Sequence, residues 1–149
     1  MIEKPVKKEN RVLGLDVGDK SLGIAISDVS GRIAFGLEGV KFFRSSIKEK
    51  AEYVKKIAAH HKVGKIVVGL PINLKGEQGH QAEKVHRFAE DLSSQISIPV
   101  VFFDERFSSV MAEELLKEAN VSLNKRKKVR DKLAATIVLQ DYLDTEKGN

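Results

Sequence analysis

Arg11–Asp28, RVLGLDVGDKSLGIAISD, is the stretch that decides the fold. Its first half, Arg11 to Val17, is a short apolar run carrying one carboxylate, Asp16, and closed by Gly18. Its second half, Ser21 to Asp28, alternates. Leu22, Ile24 and Ile26 share one face, and Gly23, Ala25 and Ser27 share the other, which is the period of a β-strand. Gly18-Asp19-Lys20 between the halves suits a hairpin turn. A third run opens at Gly31-Arg32 and reaches about Phe43, with Ile33, Phe35 and Leu37 in alternation. Three such strands in succession form an antiparallel meander.

Beyond the meander the period changes. Ser46 to His61 places Ile47, Ala51, Val54, Ile57 and Ala58 on one helical stripe. Lys65 to Leu70 (KIVVGL) is apolar without alternation, as in a strand covered on both faces. Pro71 to Gly79 forms a loop, and Gly79 to Ile96 a second helix. Pro99 to Phe103 (PVVFF) suggests another buried strand, Ser108 to Ala119 a third helix and Lys127 to Leu143 a fourth. The order β-β-β-α-β-α-β-α-α predicts an α/β fold. Its mixed sheet joins the antiparallel meander to parallel strands and is covered by helices on both faces. Residues 1–10 are expected to form a flexible, charged tail, and 11–145 a single domain.

The 149 residues suffice to bury a core without disulfides, and the chain has no cysteine. Thiolate zinc sites and cysteine nucleophiles are thereby excluded, and a reducing compartment is compatible. The first ten residues lack the apolar stretch of a secretion signal. No apolar run approaches the ~20 residues of a membrane span. A cytoplasmic protein is expected. The net charge of +5 favours polyanionic partners, since Lys and Arg displace counterions from phosphates. The four histidines show no zinc-site spacing, and no GxxxxGK[ST] string occurs.

Three carboxylates fall at element ends. Asp16 closes the first strand, at the kind of strand end where open α/β sheets bind ligands; the alternative is an acid capping the following turn. Glu105 follows PVVFF within Asp104-Glu105-Arg106; the alternative is a surface ion pair before a helix. Asp131 is placed in the first turn of the last helix, where the helix dipole alone would favour an acid. Together, hard oxygen ligands without any thiolate suit Mg²⁺ or Mn²⁺. Two such ions, ~3.5–4 Å apart, can activate water and stabilise a leaving oxygen in phosphodiester cleavage.

Four blocks of the sequence resemble one family. LGLDVGDKSLGIAISD, VVGLPINLKGEQG, VVFFDERFSSVMAEELL and RDKLAATIVLQDYLD are similar, in that order, to the motifs of the YqgF-type (RuvX) proteins. These are provisionally named pre-16S rRNA nucleases and were once proposed as Holliday-junction resolvases. The blocks span Arg11 to Asp144. The resemblance implies a ribonuclease H-like fold and a metal-binding catalytic triad on Asp16, Glu105 and Asp131. It also implies a structured RNA substrate from ribosomal RNA processing, with junction DNA as the alternative. One departure is visible: the family usually has Lys-Arg after the first motif glycine, whereas Lys20 is followed here by Ser21.

Candidate phosphate-binding residues surround these acids. Lys20 lies in the first turn, Asn73 and Lys75 in the loop after KIVVGL, and Arg106 next to Glu105. Lys125 to Lys132 holds six basic residues in eight positions, among them Lys127, Lys128 and Arg130. The run suits a phosphate clamp or a solvated linker, and few aromatics interleave with it for base stacking. Oligomeric state stays open between monomer and homodimer. Two other classes compete: an actin-like phosphoryl transferase, for which 149 residues leave no second domain, and a nucleic-acid binder without catalysis, in which acids facing phosphates would gain nothing.

Overall fold

The fold comes from a computed structural model, which describes residues 11–19, 21–41, 47–73, 75–105 and 108–147. Nothing is described of the side chains of 38–41, 108–110, 127, 128 and 147. The expected tail, 1–10, lies outside the described residues. Among the described residues the elements are β1 (Arg11–Val17), β2 (Ser21–Ser27), β3 (Ala34–Lys41), α1 (Ile47–His60), β4 (Val63–Leu70), α2 (His80–Gln95), β5 (Val100–Asp104), α3 (Ser108–Glu118) and α4 (Leu123–Lys147). The strands form one sheet in the order β3-β2-β1-β4-β5. The β1–β2 and β2–β3 pairs are antiparallel, and β4 pairs parallel with both β1 and β5. The predicted meander and parallel strands are both present, with β1 at the centre.

The two faces of the sheet differ in side-chain size. Leu13, Leu15, Leu22, Ile24, Ile66 and Val68 point to one side and are fully buried in a core shared with α1 and α2. Each such side chain contributes roughly 1.5–3 kcal/mol by leaving water. The other face carries small residues in a row, because Gly14 pairs with Ala25 and Ala25 with Gly36. Helix α4 lies in this trough. A Cβ on Gly14 would stand 2.7 Å from Leu139 Cβ, and one on Gly36 2.6 Å from Lys132 Cγ. Ala135, Val138, Leu139 and Tyr142 complete this second core against Val12 and Val67.

Three sequence expectations need correction. PVVFF is not a fully buried strand. It forms the sheet edge with one neighbour, and Phe102 remains 39% exposed. The third strand begins at Ala34 rather than Gly31, since Gly31 has φ 72 and belongs to the preceding turn. Helix α4 begins at Leu123, so the cationic run is helical and Asp131 sits in the third turn instead of the first. Lys and Arg are good helix formers, and their charge had obscured the helix start. Among the described residues, no helix is long and apolar enough to cross a membrane.

Candidate active site

Asp16 is the penultimate residue of the central strand and faces α4, on the same side as Val12 and Gly14. Its cross-strand partner on β2 is Gly23. On the other side, the β1–β4 register brings Gly69 level with Asp16, one residue beyond the Leu15–Val68 pair. A carboxylate in the middle of the sheet is thus flanked by two residues without side chains.

Both gaps are filled by the other two acids. A Cβ on Gly23 would collide with the Asp131 carbonyl oxygen and lie 2.7 Å from its carbonyl carbon. Helix α4 therefore rests its Asp131 backbone directly on β2. A Cβ on Gly69 would collide with Glu105 Oε2 and lie 2.9 Å from Cδ. Glu105 follows β5, and its amide donates to the Leu70 carbonyl at 3.2 Å, which extends the β4–β5 ladder by one step. Its side chain folds back over Gly69 toward Asp16. The site lies at the carboxyl ends of the parallel strands β1, β4 and β5, where open α/β sheets bind ligands.

The electrostatics follow from this crowding. The Asp16 and Glu105 carboxyls hydrogen-bond to each other inside the protein. Burial raises the Asp16 pKa, and the neighbouring Asp131 charge raises it further, against the Glu105 hydrogen bond and Arg130. Burial pushes Glu105 up to about 9, helped by Asp16 and Asp104. Two carboxyls in one low-dielectric site cannot both ionise cheaply, so the pair retains a proton at neutral pH. Glu105 Oε2 is buried without a hydrogen-bond partner. Arg130 Nε lies 3.8 Å from Asp131 Oδ1, and Arg130 Nη1 lies 3.8 Å from Glu113 Oε1 on α3.

Among the described residues, no three acidic or histidine side chains stand as a ready-made metal-ligating group. The donor set nevertheless suits a hard divalent cation. An orphaned buried carboxylate oxygen, a retained proton and a third acid within electrostatic reach are what a cation would satisfy, displace and draw in.

The other candidate residues fare differently. Arg130 joins the acid cluster. Asn73 and Lys75 lie in the loop leaving β4 at the same end of the sheet, but the Asn73 side chain is engaged in the loop itself. Its Oδ1 accepts from the Lys75 and Glu77 amides, both at 2.9 Å. Lys75 is exposed. Lys127 and Lys128 lie one turn before Asp131 on α4, with side chains outside the described residues. Lys20 and Arg106 are outside them altogether. The sequence reading missed Gly23 and Gly69 as makers of space. The signal for Gly23 was present, since it shares its face with Ala25 and Ser27.

The fold is similar to that of solved proteins. The Thermus thermophilus RuvC solved with a Holliday junction substrate superposes with a TM-score of 0.55 at 18% identity, covering 93% of this chain and 96% of that one. The fowlpox virus resolvase solved with junction DNA gives 0.54 at 15%, over 91% of this chain and 98% of that one. These likenesses bear on the fold, which is ribonuclease H-like. Sequence relatives are much nearer. A protein of Thermoanaerobacter pseudethanolicus is 51% identical over 139 residues, 93% of this chain and 99% of the relative. One from Carboxydothermus hydrogenoformans is 48% identical over 139 residues, with the same coverage. Both are provisionally named pre-16S rRNA nuclease. The family model described as RuvX, Holliday junction resolvase, matches residues 10–145. The chain belongs to the RuvX family.

Proposed function

We propose that the chain is a divalent-metal-dependent nuclease that hydrolyses phosphodiester bonds in structured RNA, acting in the cytoplasm on the 5′ end of precursor 16S ribosomal RNA. The observation that carries the reading is the buried Asp16–Glu105 carboxyl pair over Gly69, with Glu105 Oε2 unpartnered and the Asp131 charge within electrostatic reach of Asp16. The substrate comes from the names of the half-identical relatives. Asp16, Glu105 and Asp131 would hold Mg²⁺ or Mn²⁺. Bound there, such ions supply an activated water and charge stabilisation of the leaving oxygen. Arg130 balances the acids, and its exposed guanidinium edge suits a substrate phosphate.

Purified protein incubated with Mg²⁺ or Mn²⁺ and precursor 16S fragments, single-stranded RNA and four-way DNA junctions should cut the precursor fragments first. No cleavage of any of them would overturn the reading. The family model's description favours a second reading, a Holliday-junction resolvase. Symmetric junction cutting needs two active sites in a dimer. Preferred junction cleavage by a protein that sediments as a dimer would select that reading.

Lys20, Lys75, Arg106, Lys127 and Lys128 are proposed to draw the backbone toward the acids, with Asn73 shaping the loop. Side chains that hold phosphates carry little sequence information. Lys127→Ala with Lys128→Ala should weaken binding about equally for all sequences of one structural class. The salt dependence should flatten by roughly 0.7–0.9 log units of slope for each phosphate no longer neutralised. Unchanged affinity and slope in a filter-binding titration would remove α4 from the substrate path.

A further inference from the structure

Lys50 is the buried charge that the sequence does not announce. It lies on α1 beside the apolar stripe and is only 5% exposed. A lysine in such a position costs more than a methionine would, unless acceptors receive its ammonium. Its Nζ donates to the Gly18 carbonyl at 2.6 Å and to the Asp19 carbonyl at 2.9 Å. Two further side chains hold the same turn. Gln81 Nε2 donates to the Val17 carbonyl at 3.1 Å, and Lys84 Nζ meets Asp19 Oδ1 at 2.7 Å. The three residues that follow Asp16 are therefore each gripped from α1 or α2.

A two-strand turn at the open end of a site would ordinarily be among the more mobile parts of a fold. Among the described residues the hairpin itself supplies one closing bond, from the Gly18 amide to the Ser21 carbonyl at 3.0 Å. The remaining constraint comes from side chains on the face opposite α4. Metal ligands must be held within about 0.5 Å of their working positions by groups that do not touch the metal.

We propose that Lys50 is a positioning residue, whose buried ammonium, with Gln81 and Lys84, clamps the Val17–Asp19 turn and so fixes the end of β1 that carries Asp16. The proposal rests on Asp16 being a metal ligand. Lys50 reaches no substrate and acts through the backbone.

The test compares Lys50→Met and Lys50→Arg with the unaltered protein. Mn²⁺ binding to the free protein is followed by electron paramagnetic resonance, and amide exchange of residues 16–22 by mass spectrometry. Lys50→Met should raise the Mn²⁺ dissociation constant on the order of 10–100-fold, as loss of an outer-shell partner does, and speed exchange in the turn. Lys50→Arg, still a cationic donor, should recover part of both. A variant with normal Mn²⁺ affinity and normal turn exchange but a lower melting temperature would make Lys50 a purely structural residue and overturn the proposal. Should Lys50→Met fail to fold, Gln81→Ala with Lys84→Ala, both outside the core, carries the same measurements. Asp16→Asn is run beside them. If it binds Mn²⁺ normally, the metal reading of Asp16 fails, and exchange in the turn alone then decides whether Lys50 is a clamp.

Discussion

Asp16→Asn is expected to abolish cleavage while raising the thermal stability of the metal-free protein. The amide keeps the shape of the side chain and removes the charge that would hold the cation. Several kcal/mol of metal-supplied stabilisation would go with it, roughly 10³-fold or more in rate. The opposite effect on stability follows from the shared proton. Glu105 holds its proton far more tightly in the folded chain, at about 9, than at its ordinary 4.5. The folded state therefore binds more protons than the unfolded one between those values. Stability linked to this group is fully present below about 4.5 and is lost as pH rises through 9. Removing the Asp16 charge relieves part of that loss.

Metal binding must also displace the retained proton, so affinity for Mg²⁺ should climb from pH 7 to 9 and proton release should appear in calorimetry in buffers of different ionisation enthalpy. Full cleavage by Asp16→Asn, or by the unaltered protein in excess chelator, would end the metal mechanism. A metal-free Asp16→Asn protein that melts lower would place the shared proton elsewhere.

Strand β1 could be read as an apolar run closed by a glycine, and β2 from its alternation, in which large aliphatic residues on one face oppose small ones on the other and both faces are buried. The edge position of β5 could not. PVVFF has the composition of a central strand, yet among the described residues it pairs with β4 alone and Phe102 stays 39% exposed. The start of α4 was hidden because its first two turns are stabilised by helix-forming cations rather than by an apolar stripe. The site divides along similar lines. Asp16, Glu105 and Asp131 are visible as acids at element ends and through the family motifs. The approach of Glu105 to Asp16 depends on space at Gly69 and the seating of the Asp131 backbone on space at Gly23; only Gly23, on one face with Ala25 and Ser27, carried a sequence signal for it. Lys50 escaped for a related reason. A lysine beside a helical stripe reads as solvated until the carbonyls that receive it are placed.

Gly69→Ala and Gly23→Ala should separate the two halves of that space. At Gly69 the added methyl meets the end of the Glu105 side chain. A glutamate can swing aside, so the fold should lose little stability. The carboxylate would leave Asp16, however, and metal affinity and cleavage should fall by about 10–100-fold, as when a ligand is held off its position. At Gly23 the methyl meets the Asp131 carbonyl group, with Asp131 Cα at 3.3 Å. Backbone cannot rotate away. The whole of α4 must lift from the trough, loosening Leu139 over Gly14 and Lys132 over Gly36. Overpacking of this kind costs about 1–3 kcal/mol, which is ~2–4 °C per kcal/mol for a chain of this size, and activity should fall with it. Gly79→Ala is the comparison, because a Cβ there meets nothing within 4 Å. Melting curves and Mn²⁺ titrations of the three variants decide the matter. A Gly69→Ala protein with unchanged Mn²⁺ affinity would show that Glu105 need not stand over Gly69. A Gly23→Ala protein as stable as the parent would show that α4 does not rest on β2 at Asp131.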